Sequence, residues 1–212
     1  MKMNYKKIDL ENYERRGQFE LFRSYANPYA GITMNVDITA LLPVLREKGH
    51  NFFFTVLYCT SQALNSVPEF RRRIVGDELI EYEHCDMSYT LMTETGAYCY
   101  CEESCEEPYE VFLQNAQEHK LRALQEKRLD DGEDPNRLCF TSSLPWLSFT
   151  DIQQPLPQPA DSIPRITWGK YFEQNGKILL PYNITFNHAL ADGVHAGRFF
   201  EELNKQISSM CE

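Results

Sequence analysis

The sequence predicts an α/β two-layer sandwich, with a mixed, largely antiparallel sheet and helices packed on one face. Strand-like runs occur in groups between long helical stretches, which is typical of this layer arrangement and not of a doubly wound parallel sheet. Asn175 and Gly176 lie between two alternating segments and predict a two-residue hairpin, so antiparallel pairing is expected. At 212 residues the chain is long enough for one large core, and we expect a single domain over 1–212.

Each element follows from the spacing of apolar residues. Intervals of three or four positions predict helices at 38–47, 53–66, 109–129 and 193–210. Alternating or continuous apolar runs predict strands at 31–36, 72–82, 88–93, 97–102, 138–149 and 165–188. The proline-rich stretch 154–159 predicts a surface loop.

Composition excludes several classes of function. A net charge of −10 opposes nucleic-acid binding, and no basic stripe carries interleaved aromatic residues. No apolar run approaches the roughly 20 residues that span a bilayer, and a charged N-terminal segment replaces a signal core, so we expect a cytoplasmic protein without a membrane partner. Glycine-rich phosphate-binding motifs after a strand are missing, which disfavours the common nucleotide folds.

Basic residues that could hold an anionic cofactor are few. The triplet at 71–73 and Lys170 are the candidates, although the triplet is equally consistent with a solvated hairpin edge. Seven cysteines without a secretory signal indicate reduced thiols. Cys99 and Cys101 alternate with tyrosines as buried strand positions do, and paired Cys-x-x-Cys spacing is missing, so we expect no metal.

A histidine stands at a predicted strand-to-helix corner. His188 ends the apolar face of the strand, and Asp192 and Gly193 precede the stripe of an amphipathic helix. An imidazole placed there is a candidate general base. On spacing alone, a satisfied core histidine and a helix-capping aspartate are equally good interpretations.

Several motifs together make the chain resemble the chloramphenicol acetyltransferase family. The segment 188–193 is similar to the family's HxxxDG box, and 142–146 (Ser-Ser-Leu-Pro-Trp) is similar to its S-x-L-P-W segment. Shorter matches lie at 13–16, 36–39, 68–71 and 166–171, so the resemblance covers nearly the full length. It implies an acetyl-CoA-dependent O-acetyltransferase that forms a homotrimer with active sites between subunits.

The resemblance also implies roles for individual residues. His188 is expected to be the general base and Ser142 the hydroxyl that stabilises the oxyanion. Asp192 is expected to pair with Arg15 as a structural acid. The expected substrate- and cofactor-binding residues are Thr167, which would hold an ordered water, and Trp146, Lys170, Tyr171 and Phe22.

Acyl transfer suits these residue types. Imidazole needs little tuning to act as a base near neutral pH, and a hydroxyl donor can stabilise the developing oxyanion. Ser142 could instead be an acylated nucleophile, but no Gly-x-Ser-x-Gly elbow surrounds it, so direct transfer is favoured. Asp192 could simply cap its helix while Arg15 is a surface charge, and 144–146 could be core packing. His195 is expected to be structural.

Departures from the family pattern concern the substrate more than the reaction. Asn187 and Ala191 replace a usual histidine and cysteine, and Asn51 and Phe53 lie where lysine and tyrosine help to hold coenzyme A. Pocket positions also differ, at Ala26, Pro28, Ala30, Phe140 and 152–156. Chloramphenicol is therefore only a possible acceptor, and two alternatives stay open: a thiol acceptor, as in dihydrolipoyl acyltransferase cores, and an inactive ligand-binding protein.

Overall fold

A computed structural model describes residues 4–212. The strands, numbered in chain order, are β1 Tyr5–Ile8, β2 Tyr29–Asp37, β3 Arg72–Val75, β4 Glu78–Tyr82, β5 Asp86–Met92, β6 Tyr98–Glu103, β7 Leu138–Leu144, β8 Arg165–Gly169, β9 Phe172–Gln174 and β10 Lys177–Asn187. The helices are α1 Arg16–Arg23, α2 Leu41–Lys48, α3 Phe52–Asn65, α4 Pro68–Arg71, α5 Tyr109–Glu126 and α6 Gly193–Ser209.

Seven strands form the main sheet in the order β2-β10-β8-β7-β5-β6, with β9 added to β10. The pairs β5–β7 and β7–β8 are parallel. Strand β10 is antiparallel to β2, β8 and β9, and β5 is antiparallel to β6. A second, three-stranded antiparallel sheet has the order β1-β4-β3. The predicted mixed, largely antiparallel sheet is therefore confirmed.

The two faces of the main sheet differ in polarity. One face carries an apolar row across β2, β10 and β8, in which Ile184 pairs with Ile32 and Ile166. Ile184 and Ile166 pack in the main core with residues of α3 and α6, including Leu57 and Phe199. Side chains alternate between the faces of a strand, so the intervening residues project from the other face. The predicted helix layer on one face is confirmed.

The connection 145–164 runs over the opposite, polar face. Asp151 accepts a hydrogen bond from Thr33 Oγ1 of β2 at 3.3 Å, and the backbone oxygen of Asp161 accepts one from Asn187 Nδ2 of β10 at 2.8 Å. These contacts explain how polar side chains such as Asn183 and Thr185 are buried without a second helix layer. The hydroxyl of Thr185 donates to Asn183 Oδ1 at 3.0 Å, which satisfies both groups.

Three strand predictions were too long. The expected strand at 165–188 is three strands, with the predicted hairpin at Asn175 and Gly176 between β9 and β10. The run at 72–82 is the hairpin β3–β4, which turns at Gly76 with φ of 60°. The strand predicted at 138–149 ends at Leu144, because Pro145 has no N–H to continue the ladder.

The four predicted helices are confirmed with shifts of up to three residues at their ends. The short elements α1, α4 and β1 were missed. Helix α1 has only eight residues, which is shorter than the roughly 11–18 residues over which helical periodicity is judged. No helix within residues 4–212 is long and apolar enough to cross a membrane.

Gly169, at the end of β8, lies against Leu147 and Phe149 of the connection 145–164. A Cβ atom there would lie 2.5 Å from the Leu147 carbonyl oxygen and 2.9 Å from the Phe149 ring. We expect Gly169→Ala to destabilise the protein by about 1–3 kcal/mol through overpacking, measured by urea unfolding.

Gly197→Ala is the matched control, because a Cβ atom in that position of α6 meets nothing within 4 Å. It should stabilise the protein by about 0.5–1 kcal/mol, since alanine is the better helix former. Equal effects of the two substitutions would contradict the packing described for Gly169.

Candidate active site

His188 follows the last residue of β10 and is half-buried. Its backbone N–H donates to the Pro28 carbonyl at 2.7 Å, which continues the pairing of β10 with the segment before β2. Its ring stacks on Phe22 of α1, with centroids 4.0 Å apart and planes at 18°. The strand and α1 together fix the position and plane of the imidazole.

A carbonyl group determines the tautomer of this imidazole. His188 Nδ1 lies 2.9 Å from the Ala191 carbonyl oxygen, which can only accept, so Nδ1 carries the proton. The lone pair of the neutral ring is then on Nε2. Within residues 4–212, no group hydrogen-bonds to Nε2, so this nitrogen is available as a proton acceptor. The sequence analysis missed the contact of the Ala191 carbonyl with His188, because a main-chain contact does not depend on the type of side chain.

Asp192 makes both of the interactions considered for it. Its Oδ1 accepts from the Val194 backbone at 3.0 Å and caps α6, and its Oδ2 binds Arg15 Nη1 at 2.5 Å. Partial burial raises the pKa of Asp192, but the hydrogen bond and charge of Arg15 outweigh it and leave the pKa below its ordinary value. The pair joins the start of α1 to the start of α6, on either side of His188.

His195 completes the cap of α6. Its Nδ1 accepts from the Asp192 backbone N–H at 3.0 Å, and the side chain is buried. Burial lowers the pKa of His195 despite the nearby carboxylates of Glu69 and Asp192. A neutral ring is required for Nδ1 to accept, so His195 has the structural position that the sequence predicts.

Ser142 lies on the polar face of β7, in a row of polar residues. It pairs with Thr167 of β8, which pairs with Asn183 of β10, which pairs with Thr33 of β2. Thr167 is buried, whereas Ser142 is half-buried. The predicted serine and threonine are therefore direct neighbours across two strands.

A cleft of about 650 Å³ opens beside Ser142, at the carboxyl ends of the parallel strands β5 and β7. We call it the Ser142 cleft. Its lining includes residues from the start of α3, from β5, β6, β7 and the connection, among them Asn51, Phe53, Tyr89, Tyr98, Phe140 and Trp146. His188 does not line it.

Within one chain, His188 and Ser142 are far apart. Ser142 is in register with Asn183 through Thr167, and His188 lies further along β10. At about 3.3 Å per residue, the step from Asn183 to His188 alone covers roughly 16 Å. The structure therefore places Ser142 beside Thr167. It places His188 beside Phe22 and near the ion pair of Arg15 with Asp192. Within one chain, these two groups of residues are separate.

Of the remaining predicted binding residues, Trp146 lines the cleft, whereas Lys170 and Tyr171 lie on the segment that follows β8. Trp146 is 61% exposed, and Lys170 is also exposed. The backbone of Lys170 donates to the Leu147 carbonyl at 2.7 Å, so the segment after β8 lies against the segment after β7. Tyr171 packs edge-on against Phe52 of α3, with centroids 5.7 Å apart. Phe22 is instead at the His188 corner.

Asn51, which lines the same cleft, has a structural role. Its side-chain oxygen accepts from the Phe54 backbone at 3.1 Å and caps α3. Phe53 packs against Tyr89 and Trp168. Both departures from the family pattern are thus accounted for by local packing and capping.

Both interpretations of the arginine triplet were wrong. Arg71 is half-buried and donates to main-chain carbonyls, Arg72 pairs with Glu69 and Glu81 at 3.0 Å, and Arg73 is fully buried. Arg73 donates to the carbonyls of Phe70, Arg72 and Leu138. These groups hold the small sheet against the main sheet, and none is a free basic patch.

Six of the seven cysteines are buried core residues, and Cys211 is half-buried. All seven are free thiols, and Cys99 and Cys101 are buried on β6, as their alternation predicts. In the part of the chain that the structure describes, no group of three or more His, Cys, Asp or Glu side chains could hold a metal ion.

Three charged residues that line the Ser142 cleft were missed: Lys120 of α5, Arg165 and Asp131. Arg165 is buried at the start of β8, and its Nη1 and Nη2 bind both carboxylate oxygens of Asp161, at 2.8 and 2.7 Å. Asp131 comes from the segment before β7 and accepts from Ser88 Oγ at 3.1 Å. An arginine at the start of an apolar strand is a signal that could have identified Arg165, whereas Asp131 lies in an acidic loop without a distinguishing pattern.

The chain matches known proteins over nearly its full length. The sequence profile described as chloramphenicol acetyltransferase matches residues 3–204. Chloramphenicol acetyltransferase 3 of Escherichia coli is 30% identical over 98% of this chain and 99% of its own, and chloramphenicol acetyltransferase 2 of Escherichia coli is 32% identical over 95% and 96%. A solved chloramphenicol acetyltransferase structure superposes with a TM-score of 0.83 at 26% identity, covering 96% of this chain and 99% of its own.

A more distant structure shares the fold. Dihydrolipoamide acetyltransferase of Azotobacter vinelandii superposes with a TM-score of 0.66 at 18% identity, covering 91% of this chain and 86% of its own. The match to the family profile and to the curated relatives defines the chain as an acyltransferase enzyme. The chain belongs to the chloramphenicol acetyltransferase family.

The ion pair at the corner predicts a pH-dependent difference in stability. Asp192→Asn keeps the helix cap but removes the charge that faces Arg15, whose Nε and Nη2 are buried without partners among the described residues. We expect a loss of about 1 kcal/mol in the free energy of unfolding at pH 7.

The pKa of Asp192 is lower in the folded state than in the unfolded chain. Its contribution is therefore fully present above the unfolded pKa of about 4 and is lost as the pH falls through the folded pKa. The difference between wild type and Asp192→Asn, measured by urea unfolding, should shrink below that pH. A difference that is constant from pH 7 to pH 3 would rule out a stabilising ion pair.

Proposed function

We propose that the protein transfers an acetyl group from acetyl-CoA to a hydroxyl of a small molecule, with chloramphenicol as one possible acceptor. The observation that carries this proposal is the orientation of His188, whose Nδ1 faces the Ala191 carbonyl and whose Nε2 has no hydrogen-bond partner among residues 4–212. A fixed imidazole with an accessible Nε2 is suited to remove a proton from an alcohol.

The proposed reaction is a direct attack. His188 Nε2 takes the hydroxyl proton as the acceptor oxygen attacks the thioester carbonyl carbon. The tetrahedral intermediate carries an oxyanion, to which the Ser142 hydroxyl donates a hydrogen bond. Collapse breaks the carbon–sulfur bond, and the departing thiolate of coenzyme A recovers the proton from His188. Thr167, beside Ser142, is proposed to hold an ordered water near the oxyanion.

Coenzyme A is proposed to enter at the mouth of the Ser142 cleft. Trp146 offers exposed aromatic surface in the cleft. On the segment after β8, which lies against the segment after β7, Tyr171 offers a second aromatic surface and Lys170 a positive charge in a chain with net charge −10. The cap formed by Asn51 lies at the same mouth, so the start of α3 is oriented by this residue.

A homotrimer with active sites between subunits is part of the proposal. The register leaves His188 and Ser142 of one chain roughly 16 Å or more apart, so direct attack needs His188 of one copy beside Ser142 of another. A closed ring of identical copies repeats one such contact at every interface. In that assembly each site would combine the His188 corner and the Ser142 cleft.

The transfer is tested by thiol release from acetyl-CoA with a panel of alcohols, chloramphenicol included, and with dihydrolipoamide as the thiol alternative. His188→Ala should lower kcat by about 10²–10⁴, since a general base is lost. Ser142→Ala should lower kcat by about 10²–10³, since one oxyanion donor is lost.

Tyr25→Phe, on the exposed side of Phe22, serves as the control and should keep full activity. Undiminished activity of His188→Ala would refute the mechanism. Selective turnover of the thiol would replace the alcohol acceptor, and failure of coenzyme A to bind at millimolar levels would favour a non-catalytic ligand-binding role.

A further inference from the structure

The wall of the Ser142 cleft on the polar face of the sheet holds a carboxylate without a cationic partner. Asp131 accepts one hydrogen bond, to Oδ1 from Ser88 Oγ at 3.1 Å. Among the described residues, Asp131 Oδ2 has no hydrogen-bond partner, and no ion pair involves the side chain. Asp131 is half-buried and lines the cleft, so the free oxygen is accessible from the cleft.

The other charges of the cleft do not neutralise Asp131. Arg165 is bound through Nη1 and Nη2 to both oxygens of Asp161. Lys120 comes from α5 on the helix side of the sheet, whereas Ser88 and its partner Phe140 project from the polar face. Burial raises the pKa of Asp131, which is the expected result for a carboxylate that lacks a counter-charge.

Two tyrosines stand beside this carboxylate. Tyr98 and Tyr100 project from the same face of β6, both line the cleft, and their rings stack with centroids 6.0 Å apart at 30°. Burial, the neighbouring Tyr98 and the charge of Asp131 raise the pKa of Tyr100, so the carboxylate is close to the ring pair. A carboxylate beside aromatic faces is the combination that binds an alkylammonium ion, through charge and cation–π attraction.

The distance to the reacting centre fits a small acceptor. Ser88 pairs with Phe140, which lies two positions before Ser142 on the same face of β7. Diagonal neighbours on a sheet are about 7–8 Å apart, and the Asp131 carboxylate is 3.1 Å from Ser88 Oγ, so it lies at most roughly 10–11 Å from the Ser142 hydroxyl. A molecule about the size of a substituted benzyl alcohol can span the two groups.

We infer that the acceptor is an alcohol that also carries a protonated amine, and that Asp131, with Tyr98 and Tyr100, recognises the ammonium group. This inference rests on the proposed function, because it assigns the acceptor side of the Ser142 cleft. Asp131 then determines specificity and takes no part in the chemical step. An uncharged acceptor leaves the carboxylate unpaired in a half-buried position.

This assignment is tested with three benzyl alcohols that differ only in the para substituent. The substituents are dimethylaminomethyl (cationic), methyl (neutral) and carboxylate (anionic). The tertiary amine cannot form a stable amide, so only the hydroxyl is acetylated. Calorimetry should give a Kd for the cationic alcohol about tenfold lower than for the neutral one, the size of one charged hydrogen bond. The anionic alcohol should bind most weakly.

Asp131→Asn should abolish this preference for the cation and leave the affinity for coenzyme A unchanged. The matched control is Asp130→Asn, which removes the adjacent exposed carboxylate that pairs with Arg128 outside the cleft, and the preference should survive it. An equal preference in wild type and Asp131→Asn, or tighter binding of the neutral alcohol by wild type, would overturn the assignment.

Thiol release with the same alcohols separates this inference from the proposed function. Turnover of all three alcohols without preference for the cation would leave the transferase intact and refute the role of Asp131. A binding preference that depends on Asp131, without thiol release for any alcohol, would retain the site and refute the acetyl transfer.

Discussion

The pairing of β10 with both β2 and β8 is the constraint on which the site depends. It fixes Asn183 beside Thr167 and Thr33, and so it sets the polar row that ends at Ser142. The same register places His188 beyond the last pair of the ladder, against Pro28. Because a shift by one residue would exchange the two faces of the strand, the register also keeps Ile184 under the helices and Asn183 under the connection.

The histidine corner is held by contacts with several separate segments. The strand supplies the position of His188, the Ala191 carbonyl supplies its tautomer, and Phe22 supplies a flat surface against its ring. Arg15 and Asp192 tie the start of α1 to the start of α6. In the proposed transfer, a side chain restrained in this way would lose little conformational freedom when a substrate binds, which would favour catalysis by orientation.

The sequence was sufficient to predict the strand-to-helix corner at His188 and most strands of the main sheet, because these depend on local periodicity, whereas the order of the strands was not predicted. Alternation over β10 and the helical stripe of α6 are visible within a few residues. The distance between His188 and Ser142 could not be predicted, since register across β7, β8 and β10 involves residues that are far apart in sequence. The predictions for the arginine triplet were wrong for the same reason. The Leu138 carbonyl that binds Arg73 and the Glu81 carboxylate that binds Arg72 come from other elements.

The central claim is that each active site combines His188 of one copy with Ser142 of another, and mixed oligomers test it most directly. His188→Ala and Ser142→Ala, each nearly inactive alone, are co-refolded at equal concentrations and assayed for thiol release. Random assembly into closed rings leaves about a quarter of the interfaces with both groups intact, so activity should return to about that fraction of wild type. A mixture of His188→Ala with the double variant should stay inactive. Mixed oligomers without recovered activity would contradict a site shared between subunits.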